Sequence, residues 1–164
     1  MSGCGEPDES PGPLQLAGFS NILDPLDRGA WFNVPGCSRS KRDSGVDIVI
    51  TSVSPSGVSG ARPNKIRTLV AWPSGNPAGD VINGPGTPPR YYRAVDGDTH
   101  SGGTLTGCSV SFAIVLPRAL HQPVEVHGLD VTYEADGDTY AAHADVDVAI
   151  CPSGSRAGGE RCIG

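Results

Sequence analysis

Apolar and polar residues alternate with a period of two over several stretches of this chain. Over 46–53, Val46, Ile48 and Ile50 alternate with Asp47, Val49 and Thr51. That is the signature of a half-buried strand. A second strand is predicted over 65–72 from Ile66, Leu69, Val70 and Trp72, and a short one over 91–95. The strongest pattern covers 105–116. There Cys108, Val110, Phe112, Ile114 and Leu116 share one face, Ser109, Ser111 and Ala113 the other, and Pro117 ends the run. The stretches 124–134 and 139–150 predict a hairpin with Asp136-Gly137 at its tip, because that dipeptide accepts the positive φ angles of a tight turn. A two-residue turn sets Tyr133 opposite Tyr140, Val131 opposite Ala142 and Asp130 opposite His143. The apolar set changes parity at Gly128, which predicts a β-bulge there.

Between these strands the chain is rich in turn residues. Phe19, Ile22, Leu23 and Leu26 are spaced for one helical turn, and Trp31, Phe32 and Val34 anchor the following segment on the core. The stretch 73–90, crowded with Pro and Gly, reads as a long loop. Residues 1–16 read as a flexible tether and 17–164 as a single β domain. Seven or so short strands with turns between them predict a mostly-β fold: an antiparallel β-sandwich, immunoglobulin-like in architecture, with a small β-barrel as the alternative. No βα repeat supports a parallel α/β fold.

Composition narrows the class. The chain has 23 Gly, 15 Pro and 37% apolar residues, so it spends many positions on turns. Its formal net charge of -6 argues against a nucleic-acid partner, which would call for a basic face. No apolar run is long enough to cross a bilayer.

The five cysteines are Cys4, Cys37, Cys108, Cys151 and Cys162. No two stand at metal-binding spacing, which leaves disulfides and an oxidising compartment. With Cys4 set apart, the other four form two bridges. A Cys151–Cys162 bridge would pin the C-terminal tail, leaving Cys37 with Cys108. The rival pairing is Cys108–Cys151 with Cys37–Cys162.

Ser2-Gly3-Cys4-Gly5, followed by the polar, Pro-containing run from Glu6 to Pro13, resembles the processing site and tether of bacterial secreted lipoproteins. The resemblance implies that Cys4 carries the lipid and that the protein is extracytoplasmic, meeting the membrane only through that anchor. A signal stretch upstream of Met1 is the corresponding expectation.

Candidate chemistry is sparse. Ser101-Gly102-Gly103 shares three residues with the nucleophile loop of serine proteases, but His100 stands where an acid should precede the serine. His143, Asp145, Asp147 and Asp130 fall near one another on the hairpin and could form a surface divalent-metal site. Otherwise no cofactor is implied. The repeated Asp-Gly-Asp-Thr at 96–99 and 136–139 lacks the order of a calcium loop and is good turn chemistry. Tyr91 and Tyr92 are adjacent, so on a strand one must face outward. Flanked by Arg90 and Arg93, they are the candidate binding residues. Arg39, Lys41 and Arg42 make a short basic loop. The expected function is a non-enzymatic, envelope-tethered or secreted binding module for a protein or carbohydrate partner. The alternatives are a small secreted hydrolase or metal-dependent enzyme, and a protease-inhibitor-like protein.

Overall fold

The computed structural model describes residues 12–39, 45–72, 83–159 and 161–164. In chain order the strands are β1 (Leu14–Leu16), β2 (Phe19–Leu23), β3 (Ala30–Ser38), β4 (Val46–Ser56), β5 (Arg67–Ala71), β6 (Asn83–Pro85), β7 (Arg93–Ala94), β8 (Ser101–Leu105), β9 (Val110–Leu116), β10 (Val124–Val126), β11 (Gly128–Ala135), β12 (Asp138–Ala144), β13 (Val146–Ile150), β14 (Arg156–Gly158) and β15 (Arg161–Ile163). One 3-10 turn, Pro63–Lys65, precedes β5.

Two layers enclose the core. The first runs β1–β3–β9–β5–β7, with β6 also on β3. The second is β12–β11–β4–β8, and the long hairpin continues beyond it into a smaller sheet, β10–β13–β2. Phe32, Val34, Phe112 and Ile114 of the first layer meet Ile48, Ile50, Val131 and Tyr133 of the second, and Val126, Val146 and Ile150 join the same core. All of these side chains are essentially inaccessible to solvent. No strand pairing among the described residues joins the layers, so the fold is an open β-sandwich rather than a barrel.

The hairpin has the register that its turn dictates. Asp136 and Gly137 both have positive φ, 50° and 80°, and Tyr133 pairs with Tyr140, Val131 with Ala142 and Asp130 with His143. At Gly128 the chain changes sheet. Leu129 pairs with Ala144, but Val126 pairs with Val148, so the β12–β13 side carries one extra residue. That single insertion keeps apolar residues inward on both sides of the break.

Several elements differ from the sequence-based expectation, among them β3, read only as a segment anchored on the core, and β14–β15, which lie in the stretch read as a C-terminal tail. Leu14–Leu16, placed in the tether, is a strand whose two leucines are buried and paired with Gly36 and Ser38. Phe19–Leu23 is a strand parallel to β13 rather than a helical turn, its backbone paired with that partner. The run 105–116 is two strands in different layers. Gly107, at φ 58°, reverses the chain, and Ser109 Oγ holds the reversal by accepting from Thr106 N and donating to Thr104 O. Cys108 therefore sits in this turn and not on the Phe112 face. In the stretch read as a loop, Asn83–Pro85 is a short strand on β3. Residues 1–11, 40–44 and 73–82 lie outside the described residues, and with them Cys4, Lys41 and Arg42.

Both bridges follow the first of the two pairings. Cys37, on β3, joins Cys108 in the turn before β9. Cys151, buried just after β13, joins Cys162 on β15. The second bridge and a hydrogen bond from Ala157 N to Asp24 Oδ1 hold the C-terminal hairpin near the end of β2.

Candidate functional site: an exposed tyrosine and two histidine clasps

The tyrosines sit on the outer side of the first layer. There Leu69, Ala113 and Val115 form a small apolar patch on which Trp31 and Tyr92 pack. Tyr92 stands 6.1 Å from Trp31 between ring centroids, and its hydroxyl makes a 2.7 Å hydrogen bond with Ser111 Oγ. Burial raises the Tyr92 pKa, and the Ser111 hydrogen bond opposes that only in part. Tyr92 is thus an anchor. Tyr91 stacks on it at 5.1 Å and is 57% exposed, the only exposed aromatic side chain among the described residues. Of the flanking arginines, Arg90 lies in the same turn and is exposed. Arg93 pairs with the inward-facing Val70, so its Cβ leaves the sheet on the side away from Tyr92. The structure therefore keeps Tyr91, Tyr92 and Arg90 together and separates Arg93 from them.

The second cluster lies where the long hairpin changes sheet. His127 Nδ1 is 2.6 Å from Asp147 Oδ1, and its Nε2 is 3.6 Å from Glu125 Oε2. Ser59 Oγ donates to the same Glu125 oxygen at 3.0 Å. Across the bulge, His143 Nδ1 is 2.7 Å from Asp130 Oδ1 and Nε2 is 3.1 Å from Asp145 Oδ1. These contacts raise the pKa of both imidazoles. Asp147 is the main cause for His127 and Asp130 for His143. The expected metal set was His143, Asp145, Asp147 and Asp130. Asp147 instead belongs to His127, because the register shift of the bulge turns it to face that residue. No three His, Cys, Asp or Glu side chains among the described residues are arranged to hold a metal ion.

His127, Glu125 and Asp147 line a shallow groove of about 480 Å³ on the outer face of the smaller sheet. Ser20 and Ile22 of β2 and Gly159 of the C-terminal hairpin complete it. Sequence reasoning missed His127 and Glu125 as a pair with Asp147. The available signal was the parity change at Gly128, carried one step further into the register of β10 and β13. Chemically the arrangement favours the charged form of both imidazoles, which lie between carboxylates. Both nitrogens of His143 are engaged by carboxylates, which leaves that ring no free nitrogen to act as a general base.

Other candidates have structural partners. Ser101 Oγ accepts from Trp72 Nε1 at 2.9 Å, and the indole lies over Gly103, where any Cβ would collide with it. The serine-and-glycine run thus seats a tryptophan. Asp96 Oδ1 accepts from Asp98 N and Thr99 N, closing a turn and lowering its own pKa.

No protein-family model matches the chain, and no curated protein matches it. Among solved structures it is similar to the CooA pilin subunit from enterotoxigenic Escherichia coli, at 11% identity and a TM-score of 0.42, covering 87% of this chain and 99% of that one. It is also similar to a family 123 glycoside hydrolase from Clostridium perfringens, at 11% identity and a TM-score of 0.36, covering 79% of this chain but 22% of that one. Neither likeness is strong enough to bear on function.

Proposed function

We propose that this protein is a non-enzymatic, extracytoplasmic binding module whose contact surface centres on Tyr91. The observation that carries the reading is the stack of exposed Tyr91 on Tyr92, itself fixed by Trp31 and Ser111. A ring held rigidly at the surface offers contact area at little entropic cost. Arg90 adds a cationic donor beside it. The two disulfides support an oxidising, extracytoplasmic setting. Export with a lipid on Cys4 is the anchoring that fits the sequence before residue 12. Protein and carbohydrate surfaces both suit a flat aromatic contact with a polar rim.

The test is a screen of the purified protein on a glycan array and on a panel of purified surface proteins, with Tyr91→Ala alongside. A ligand bound through this surface loses more than about tenfold in affinity in the variant, as for an interface hot spot. Tyr91 is exposed, so thermal stability changes by less than about 1 kcal/mol. Binding that survives Tyr91→Ala unchanged contradicts the reading.

A further inference from the structure

The two histidine clasps have a consequence for the hairpin that carries them. Each joins its two strands. His127 follows β10 and holds Asp147 of β13, while His143 of β12 holds Asp130 directly opposite on β11. They flank the bulge from either side. The His143 ring lies against Gly128, where a Cβ would fall 2.8 Å from Cε1, and the His127 side chain lies against Gly57. The backbone there is already interrupted, since the ladder shifts by one residue between Leu129–Ala144 and Val126–Val148. Side-chain bonds therefore add cross-strand ties at the point where the main-chain ladder is interrupted.

The geometry of His143 favours a particular protonation state. Both nitrogens of His143 lie within hydrogen-bond distance of carboxylate oxygens, at 2.7 and 3.1 Å. A carboxylate only accepts, so both contacts need N–H donors, and only imidazolium has two. A neutral ring would turn one lone pair against an oxygen. His127 is hydrogen-bonded through Nδ1 alone; its second carboxylate, Glu125, stands 3.6 Å from Nε2, an ionic contact with the charged ring rather than a hydrogen bond, and is tied by Ser59. Among the described residues, the charges acting on these rings are those four carboxylates alone: Asp147 and Glu125 on His127, Asp130 and Asp145 on His143. β2, packed beside β13, brings Ser20 and Asn21 but no titratable side chain. β4, beside β11, brings Ser54 opposite Asp130.

We propose that the two clasps form a proton-dependent latch that holds the β10–β13–β2 sheet, and the groove on it, in line with the rest of the hairpin. With both rings charged, the latch is closed. When they lose their protons, the cross-strand bonds to Asp147 and Asp130 lose their charge assistance, His143 releases Asp145, the groove gains negative charge, and β10 and β13 open more often at the bulge. The sign follows from linkage. Groups whose folded pKa is raised stabilise fully below their unfolded value, about 6.5 for histidine, and lose that contribution as pH rises through the folded value. The latch is therefore closed in mildly acidic surroundings and loosens toward alkaline pH.

Amide hydrogen exchange on the full chain tests this between about pH 5.5 and about pH 8.5, a span that brackets the ordinary histidine range, with EDTA present and rates divided by the intrinsic rate at each pH. Protection of Val124–Val126 and Val146–Ile150 is expected to fall several-fold with rising pH, while β3 and β9 hold steady. His127→Gln with His143→Gln should abolish the pH dependence, and Asp130→Asn alone should reduce it. The substituted side chains are half exposed, so the variants fold. NMR titration of both rings supplies the matching proton loss. Protection in β10 and β13 that does not respond to pH, or that responds equally in the double glutamine variant, overturns the proposal.

Discussion

The backbone N–H of Leu14 donates to the Tyr133 hydroxyl at 3.0 Å in the interior. Tyr133 stacks on Tyr140 at 5.5 Å, and burial raises its pKa. This one hydroxyl fastens β1 to the opposite layer. Tyr133→Phe leaves a buried N–H without an acceptor, which costs roughly 1–3 kcal/mol. Urea unfolding should show that loss, and a change below about 0.5 kcal/mol would mean that β1 is held by its leucines alone. At this scale the sequence was partly legible. Tyr133 and Tyr140 could be paired across the strands from the turn alone. That the Tyr133 hydroxyl reaches a residue 119 positions earlier could not, because nothing local records a contact between layers.

At the scale of elements, turn chemistry decided more than propensity did. Asp136-Gly137 set seven cross-strand pairs in correct register, from Leu129–Ala144 to Ala135–Asp138. A Cβ added at Gly137, which has φ 80°, would meet no atom within 4 Å, so the cost of a side chain there is conformational. Gly137→Ala should therefore destabilise by roughly 1–2 kcal/mol. Asp136→Gly should cost far less, since glycine accepts the same angle freely. Comparison of the two denaturation midpoints checks this, and equal effects would place the strain elsewhere. Two of the missed elements share a cause. β1 and β2 are short, and their pairing partners, β3 and β13, are distant in sequence. Periodicity over three to five residues cannot separate a strand from a helical turn. Pro35 shows how context overrides a local rule. It sits within β3 because its carbonyl faces the β1 side, where Ala17 N uses it, so the N–H that proline lacks lies beyond the end of the β1 ladder.

Across the whole molecule, two bridges fasten parts that the core holds least. Cys37–Cys108 closes a separation of 71 residues and joins β3 to the turn between layers. Cys151–Cys162 closes 11 residues and carries a C-terminal hairpin with little buried surface. In the chain-entropy account these are worth about 4 and about 3 kcal/mol, sizeable against the net stability of a domain. The cysteine count and spacing made the bridges legible in the sequence. Of the histidine clasps, His143–Asp130 followed from the turn register, whereas His127–Asp147 did not, because it depends on a one-residue insertion that changes which side chains meet. The exposed tyrosine was legible as a pair but not as an anchor and its partner, which needed Trp31 and Ser111 from other strands. The stapled sandwich underlies both the proposed setting and the surface that presents Tyr91. Peptide mapping of the non-reduced native protein tests it most directly. Linked peptides Cys37–Cys108 and Cys151–Cys162, with Cys4 in neither, are the expected result. A Cys108–Cys151 link, or free thiols at these four positions, would contradict the account.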